Sequence, residues 1–153
     1  MNGTSIQLWG MKMADKEIID NDIQELIGIY RKLGTIEKKA ILKQAEQTSK
    51  WCIREKAISG EEPLIIYGTK SCPDCQKCLK QMNELQVQYE FRDIMKNLQF
   101  LKHFIGLRDD SISFKSVKTQ GKLGIPCIYI SQDWQIFDWE DLINEKNPLE
   151  INV

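Results

Sequence analysis

Two cysteines one helical turn apart, Cys72 and Cys75, are the residues best suited to chemistry in this chain of 153 residues. They enclose the motif Cys-Pro-Asp-Cys. The first cysteine would lie at a helix N-terminus, where free backbone N–H groups and the helix dipole stabilise a thiolate. Pro73 suits the first helical position because it has no N–H to leave unpaired. The motif therefore predicts dithiol redox chemistry, with one nucleophilic and one resolving thiol.

The segments on either side of the motif must position it. An apolar, isoleucine-rich run at 64–67 predicts a buried strand that ends at Gly68. After the motif, Leu79, Met82 and Leu85 recur on one face of a predicted helix. The remaining pattern predicts a second strand after this helix, then short helices, and then two further strands that form a hairpin. The order β-α-β-α-α-β-β-α indicates a mixed α/β fold with a parallel first strand pair.

The chain before this fold has a different pattern. Apolar side chains at spacings of three and four predict a helical hairpin over residues 15–58. Residues 1–14 are predicted to be a flexible tail, 59–63 a linker, and 64–153 the redox domain. Each arm of the hairpin carries an apolar stripe. Because large exposed apolar patches are uncommon, we expect burial of both stripes by the redox domain or by a second copy of the chain, in a homodimer through residues 15–58.

The hairpin also resembles a known type of segment. Residues 20–50, with the run Gln-Glu-Leu-Ile-Gly-Ile-Tyr-Arg-Lys-Leu-Gly from Gln24, are similar to the helical tail of bacterial helix-turn-helix repressors. Such tails commonly help those proteins to dimerise. No recognition helix precedes the segment here. The simpler interpretation is an accessory hairpin without an activity of its own.

Composition and charge argue against a nucleic-acid-binding or a membrane protein. A net charge of −1 gives no general attraction to nucleic acid or to a membrane surface. No apolar stretch is long enough to span a bilayer, and the N-terminus lacks the pattern of a secretory signal. We therefore expect a cytoplasmic protein with neither nucleic acid nor membrane as a partner. In a reducing cytosol, closely spaced cysteines are more often catalytic or metal-binding than structural.

Two motifs together resemble a family. Residues 64–144 are similar to a glutaredoxin of the thioredoxin superfamily. The first motif is Tyr-Gly-Thr-Lys-Ser-Cys-Pro-Asp-Cys at 67–75, and the second is Leu-Gly-Ile-Pro-Cys-Ile-Tyr-Ile at 123–130, where the family has its cis-proline strand. The stretch 104–110 further resembles small bacterial glutaredoxin-related proteins. The resemblance implies a thioredoxin/glutaredoxin-like four-stranded mixed sheet flanked by helices.

The resemblance also implies roles. Cys72 would attack the disulfide of a protein or of a glutathione mixed disulfide, and Cys75 would resolve the product. Four further residues would bind substrate: Lys70, Pro73, Ile125 and Pro126. The Ile125–Pro126 bond would be cis. No cofactor or metal is implied, and glutathione would serve as the reductant. One feature is missing, because 134–139 lacks the glycine pair with which the family grips the γ-glutamyl end of glutathione.

Two other interpretations use the same residues. Cys78 extends the motif to C-x-x-C-x-x-C, and with Cys127 it gives four thiols, the number that zinc or an iron–sulfur cluster takes. Three cysteines along one helix start converge poorly on one metal, and Pro73 favours the redox role. The last alternative is a redox-sensing interaction protein that uses the helical hairpin to bind itself or a regulator.

Overall fold

A computed structural model describes residues 13–147, with side chains described from residue 20. Six helices and four strands form in these residues. In chain order they are α1 (Met13–Lys32), α2 (Thr35–Ser59), β1 (Leu64–Gly68), α3 (Pro73–Glu84), β2 (Tyr89–Asp93), α4 (Leu98–Asp110), α5 (Phe114–Thr119), β3 (Cys127–Ser131), β4 (Trp134–Ile136) and α6 (Trp139–Asn144). From β1 onward this is the order that the sequence predicts.

The four strands form one mixed sheet in the order β2-β1-β3-β4. The β1 and β2 strands are parallel, with Gly68 opposite Asp93 at the end of the pair. The β1–β3 and β3–β4 pairs are antiparallel. A parallel pair needs a crossover, which α3 supplies, whereas the short turn after β3 suffices for a hairpin. The predicted fold class, a thioredoxin-like mixed sheet flanked by helices, is confirmed.

Side chains of the central strand β1 alternate between two cores, as a strand buried on both faces requires. Leu64 and Ile66 lie in one hydrophobic cluster, here called the α3 core, with residues of α3 and α6. Tyr67 lies in a second cluster, the α4 core, with residues of α4 and α5. The cysteine motif follows directly from this strand, so both cores fix its position.

The chain divides into two compact units, residues 1–44 and 45–153, and the division falls inside α2. Ala57, in the second half of this helix, is fully buried in the α3 core. Arg54 donates from Nη1 to the carbonyl oxygens of Ile143 (2.8 Å) and Glu145 (2.6 Å), at the end of α6. Residues 45–59 are thus part of the same compact unit as the sheet. The predicted partition into a hairpin at 15–58, a linker at 59–63 and a redox domain at 64–153 stays a prediction.

Several apolar side chains of the first unit are exposed. Leu26 of α1 is 57% exposed, and Ile41 and Leu42 of α2 are also exposed. Burial of the stripes, by the redox domain or by a second copy of the chain, stays a prediction. Of the predicted tail, residues 1–12 lie outside the described residues, while residues 13 and 14 begin α1. None of the helices in residues 13–147 combines the length and the hydropathy needed to cross a bilayer.

Candidate active site

Cys72 lies at the N-terminal end of α3, as the sequence predicts. It is the N-cap residue with extended backbone, and Pro73 follows in the first turn. Its carbonyl oxygen accepts the N–H of Gln76 (3.0 Å), so the helix begins directly after it. The Cys72 side chain is half-exposed and forms no disulfide. A thiol at this position can meet a substrate while facing the positive end of a 12-residue helix.

Cys75 is fully buried one turn further along α3. Its sulfur lies against Gly68, because a β-carbon built on that glycine would be only 2.7 Å from Sγ. Burial raises the pKa of the Cys75 thiol to about 12. A backbone hydrogen bond with Thr69 opposes the rise, and the adjacent Cys72 side chain adds to it. The two thiols therefore differ in access: one is open to a substrate, whereas the other is shielded beside the first.

Cys78 and Cys127 are buried and separated by the fold. Cys78 is packed in the α3 core and Cys127 in the α4 core, which lie on opposite faces of the sheet. Burial raises the pKa of each thiol to about 12, with the charge of Cys75 adding to the rise at Cys78. In residues 20–147, no three histidine, cysteine, aspartate or glutamate side chains are grouped as a metal site requires. The four-thiolate site of the metal-binding interpretation does not form.

Hydrogen bonds from outside the motif hold the loop before Cys72. Asp93, which is 9% exposed at the end of β2, accepts from the backbone N–H of Met95 (3.0 Å) and, more weakly, of Lys70 (3.5 Å). The Nε2 atom of Gln76 donates to the carbonyl oxygen of Lys70 (2.7 Å). The loop is thus held between the sheet and the first turn of α3. The Lys70 side chain is exposed, and its predicted role in substrate binding stays a prediction.

The Ile125–Pro126 peptide bond is cis, which confirms that prediction. Pro126 is buried and Ile125 is half-buried directly before β3. Gly124 precedes them with a φ of +93°, a conformation that favours glycine. A β-carbon there would also be 2.8 Å from the ring of Phe114, so glycine is required twice over. The absence of a side chain at Gly124 thus allows the backbone before the cis bond to pack closely against α5.

A cleft of about 670 Å³ includes residues of both motifs. Ile125, Pro126 and Asp74 line it, together with Phe137 and Trp139 near the start of α6. Cys72 is not a lining residue of the cleft but precedes Asp74 by two positions. The cleft thus combines apolar surface with polar groups. Such a combination is typical of ligand-binding sites.

A polar network at the α4 core was not predicted from the sequence. The Tyr67 hydroxyl accepts from Nη1 of Arg92 (2.7 Å) and hydrogen-bonds with Nδ1 of His103. Burial raises the pKa of Tyr67, while the hydrogen bond and charge of Arg92 oppose the rise. Arg92 also pairs with Glu90 (2.7 Å). His103 is exposed, and Tyr67 is its hydrogen-bond partner. This network satisfies the polar end of a buried tyrosine.

The structure brings the predicted site residues together only in part. Pro73 lies next to Cys72, and Ile125 and Pro126 share the cleft with Asp74. The roles assigned to these residues stay predictions. Sequence reasoning missed Asp93, although a signal existed. Parallel strands end at the same edge of a sheet, so the last residue of β2 had to lie near the loop after β1.

The fold and site define a thiol-redox domain of the thioredoxin superfamily. Residues 64–134 match the model of the glutaredoxin family, so this segment of the chain is glutaredoxin-like. It is also 35% identical over 81 residues to an uncharacterized protein of Haemophilus influenzae, and the match covers 53% of this chain and 93% of that protein. No solved structure matches the chain significantly. The glutaredoxin-like segment supports a function related to thiol redox chemistry.

Proposed function

We propose that this protein is a thiol–disulfide oxidoreductase that reduces protein or glutathione mixed disulfides through Cys72 and Cys75. One observation carries the proposal: a half-exposed thiol begins α3, and a fully buried thiol lies one turn behind it. The exposed thiol suits attack on a substrate, and the shielded thiol suits an intramolecular second step. The match of residues 64–134 to the glutaredoxin family supports the same reaction class.

In the proposed reaction, the Cys72 thiolate attacks one sulfur of the substrate disulfide. A mixed disulfide forms and the other substrate sulfur leaves as a thiolate, which takes up a proton. Cys75 then gives up its proton and attacks the Cys72 sulfur. The second substrate thiolate leaves and is protonated in turn. The substrate gains two electrons and two protons, and the protein is left with a Cys72–Cys75 disulfide. A low-molecular-weight thiol, such as glutathione, or a reductase returns it to the dithiol.

The resolving step requires the Cys75 proton to leave, because its thiol has a raised pKa of about 12. Much of that rise comes from burial. Once Cys72 is in a mixed disulfide, it no longer carries a negative charge beside Cys75. The contribution of the Cys72 side chain to the raised pKa is then removed. Formation of the first disulfide thereby favours ionisation of the second thiol. Ile125 and Pro126, at the cleft, would hold the backbone of a peptide-like substrate.

Mass spectrometry with single-cysteine variants tests the proposal. The reduced wild-type protein, mixed with a small disulfide, should lose two hydrogen atoms to that disulfide and form the Cys72–Cys75 bridge. Cys75→Ser should stop at a mixed disulfide on Cys72, and Cys72→Ser should form neither product. Cys52→Ser, in which a half-exposed cysteine outside the motif is removed, is the matched control and should behave like the wild type. Retention of substrate reduction in Cys72→Ser would refute the proposal.

A further inference from the structure

The loop between β1 and α3, residues 69–71, is fixed through the backbone of Lys70. The Nε2 atom of Gln76 donates to the carbonyl oxygen of Lys70 (2.7 Å). The carboxylate of Asp93 accepts the N–H of Lys70, more weakly (3.5 Å), and also the N–H of Met95 (3.0 Å). Both backbone polar groups of one loop residue are thus bound by side chains, one from α3 and the other from the end of β2.

Thr69, the first residue of this loop, accepts two hydrogen bonds from the residues that follow it. Its carbonyl oxygen accepts the N–H of Cys72 (3.1 Å), and its hydroxyl oxygen accepts the N–H of Ser71 (3.3 Å). Within residues 20–147, no carbonyl oxygen accepts the N–H of Thr69 itself. This N–H is therefore left for an acceptor of another kind.

The sulfur of Cys75 lies against the same piece of backbone. A β-carbon built on Gly68, the residue before Thr69, would be 2.7 Å from Sγ. Burial raises the pKa of the Cys75 thiol, and a backbone hydrogen bond with Thr69 opposes the rise. A donor acts in this direction because it stabilises the thiolate, whereas a carbonyl acceptor would stabilise the thiol. The backbone N–H of Thr69 is thus the donor to the buried sulfur.

Resting on the proposed function, we propose that Gln76 and Asp93 are positioning residues for the resolving step. They hold the loop so that the Thr69 N–H stays on the sulfur of Cys75. Because Cys75 is fully buried, its thiolate must be stabilised by protein donors rather than by bulk water. The thiolate has to exist before the step can occur, so a loosened loop slows it.

In the resolving step, Cys75 gives up its proton to solvent and its thiolate attacks the sulfur of Cys72. The Cys72–Cys75 bond forms while the bond from Cys72 to the substrate sulfur breaks. The substrate leaves as a thiolate with the electron pair of that bond and is then protonated. The first attack, by Cys72, does not use the Cys75 thiolate. Only the second step should therefore depend on the loop.

Release of thiopyridone from dithiodipyridine separates the two steps. The parent is the full-length Cys52→Ser protein, which lacks the half-exposed cysteine outside the motif. Attack by Cys72 releases one thiopyridone at a rate proportional to the reagent concentration, and closure by Cys75 releases a second at a rate independent of it. Gln76→Ala should slow the second phase by about three- to tenfold and leave the first unchanged, because a strong hydrogen bond to a charged sulfur is loosened.

The pH dependence of the second phase reports the thiolate directly. In Gln76→Ala, which changes no charge, its rise with pH should move to higher pH, while that of the first phase stays. Cys72 and Asp74 also act electrostatically on Cys75, and both are kept in this variant. Asp93→Ala should likewise slow the second phase, and Asp93→Asn, which keeps an acceptor oxygen, should restore most of the rate.

Gln99→Ala is the matched control, because it removes the same side chain from an exposed position in the first turn of α4. It should leave both phases unchanged. A second phase with the parent rate and pH dependence in Gln76→Ala would overturn the inference, as would an equal slowing of both phases. Absence of both phases in the parent protein would instead refute the proposed function.

Discussion

The sulfur of Cys75 rests on the backbone of Gly68, at a place where a β-carbon would approach it to 2.7 Å. The same β-carbon would be 3.2 Å from the ring of Phe91. Strand β1 can therefore end directly beneath the first turn of α3 only if its last residue has no side chain. This contact fixes the depth at which the second thiol lies below the first.

Gly68→Ala should displace Cys75 and impair the resolving step. Overpacking of this kind costs about 1–3 kcal/mol of unfolding free energy. We expect the mixed disulfide on Cys72 to form at the normal rate but to persist, because Cys75 no longer lies in line with it. Urea unfolding and mass spectrometry over time would measure both effects. Gly106→Ala is the matched control, because a β-carbon there meets nothing within 4 Å and alanine favours the helix. Equal stability and closure rates in the two variants would contradict the argument.

The thiols should react with iodoacetamide in an order set by burial. Cys75, Cys78 and Cys127 are buried and their thiols have pKa values raised to about 12, so few thiolates exist at neutral pH. In the folded, reduced protein we expect labelling at Cys72 and at the half-exposed Cys52, followed by the others only near pH 12 or after unfolding. Peptide mass spectrometry gives the order. Labelling of Cys75 or Cys78 ahead of Cys72 would show that the mechanism is wrong.

Alkaline pH should destabilise the fold through its buried thiols. The pKa of Cys127 is raised to about 12 by burial, whereas an ordinary cysteine has a pKa of about 8.5. Above the ordinary value the unfolded chain loses this proton while the folded chain keeps it. The stabilising contribution is therefore complete below about pH 8.5 and is lost as the pH rises towards 12.

Urea unfolding under reducing conditions at several pH values would check this loss. Cys127→Ala should show a shallower decline of unfolding free energy over the alkaline range, although its stability at neutral pH is lower because of the cavity. Cys52→Ala, at a half-exposed position, should keep the wild-type slope. Identical slopes in Cys127→Ala and the wild type would exclude the buried thiol as the cause.

Arg54 lies in the second half of α2 and should stabilise the second unit, residues 45–153. Its side chain is 13% exposed, and its guanidinium donates to two carbonyl oxygens at the end of α6. Removal leaves those oxygens without this donor, and charged hydrogen bonds contribute about 1.5–3 kcal/mol. Arg54→Met should therefore lower the unfolding free energy by about 2 kcal/mol. Lys56→Met, which removes an exposed ion pair with Glu62, should change it by less than about 1 kcal/mol.

Local patterns predicted most of the fold. The strand at 64–67, the helix after Cys72 and the hairpin around Asp133 follow from periodicity and turn residues within a few positions. The cis bond before Pro126 followed from a family resemblance. Residues 59–63 were predicted to be a linker, and the helix does end at Ser59. A turn signal shows where a helix ends, but it does not show which compact unit that helix packs in.

Contacts between distant segments could not be predicted in the same way. Asp74 and Asp138 share a cleft only because α3 and α6 pack side by side, and no local pattern relates the two positions. Arg54 reaches Ile143 across 89 positions of sequence. Cys78 and Cys127, which the metal-binding interpretation treated as ligands of one metal, likewise lie in two different cores. Each of these outcomes depends on which face of the sheet a helix covers.

The hydrogen bonds from Arg54 to the end of α6 also have a consequence for folding during synthesis of the chain. A protein chain is synthesised from its N-terminus, so α2 is made long before the carbonyl oxygens to which Arg54 donates. Until residue 145 has been added, the guanidinium and the apolar side of this helix have no native partners in α6. The entropy of closing so long a loop is lost only at that late stage. The sheet can assemble earlier, and the contact between α2 and α6 forms after it.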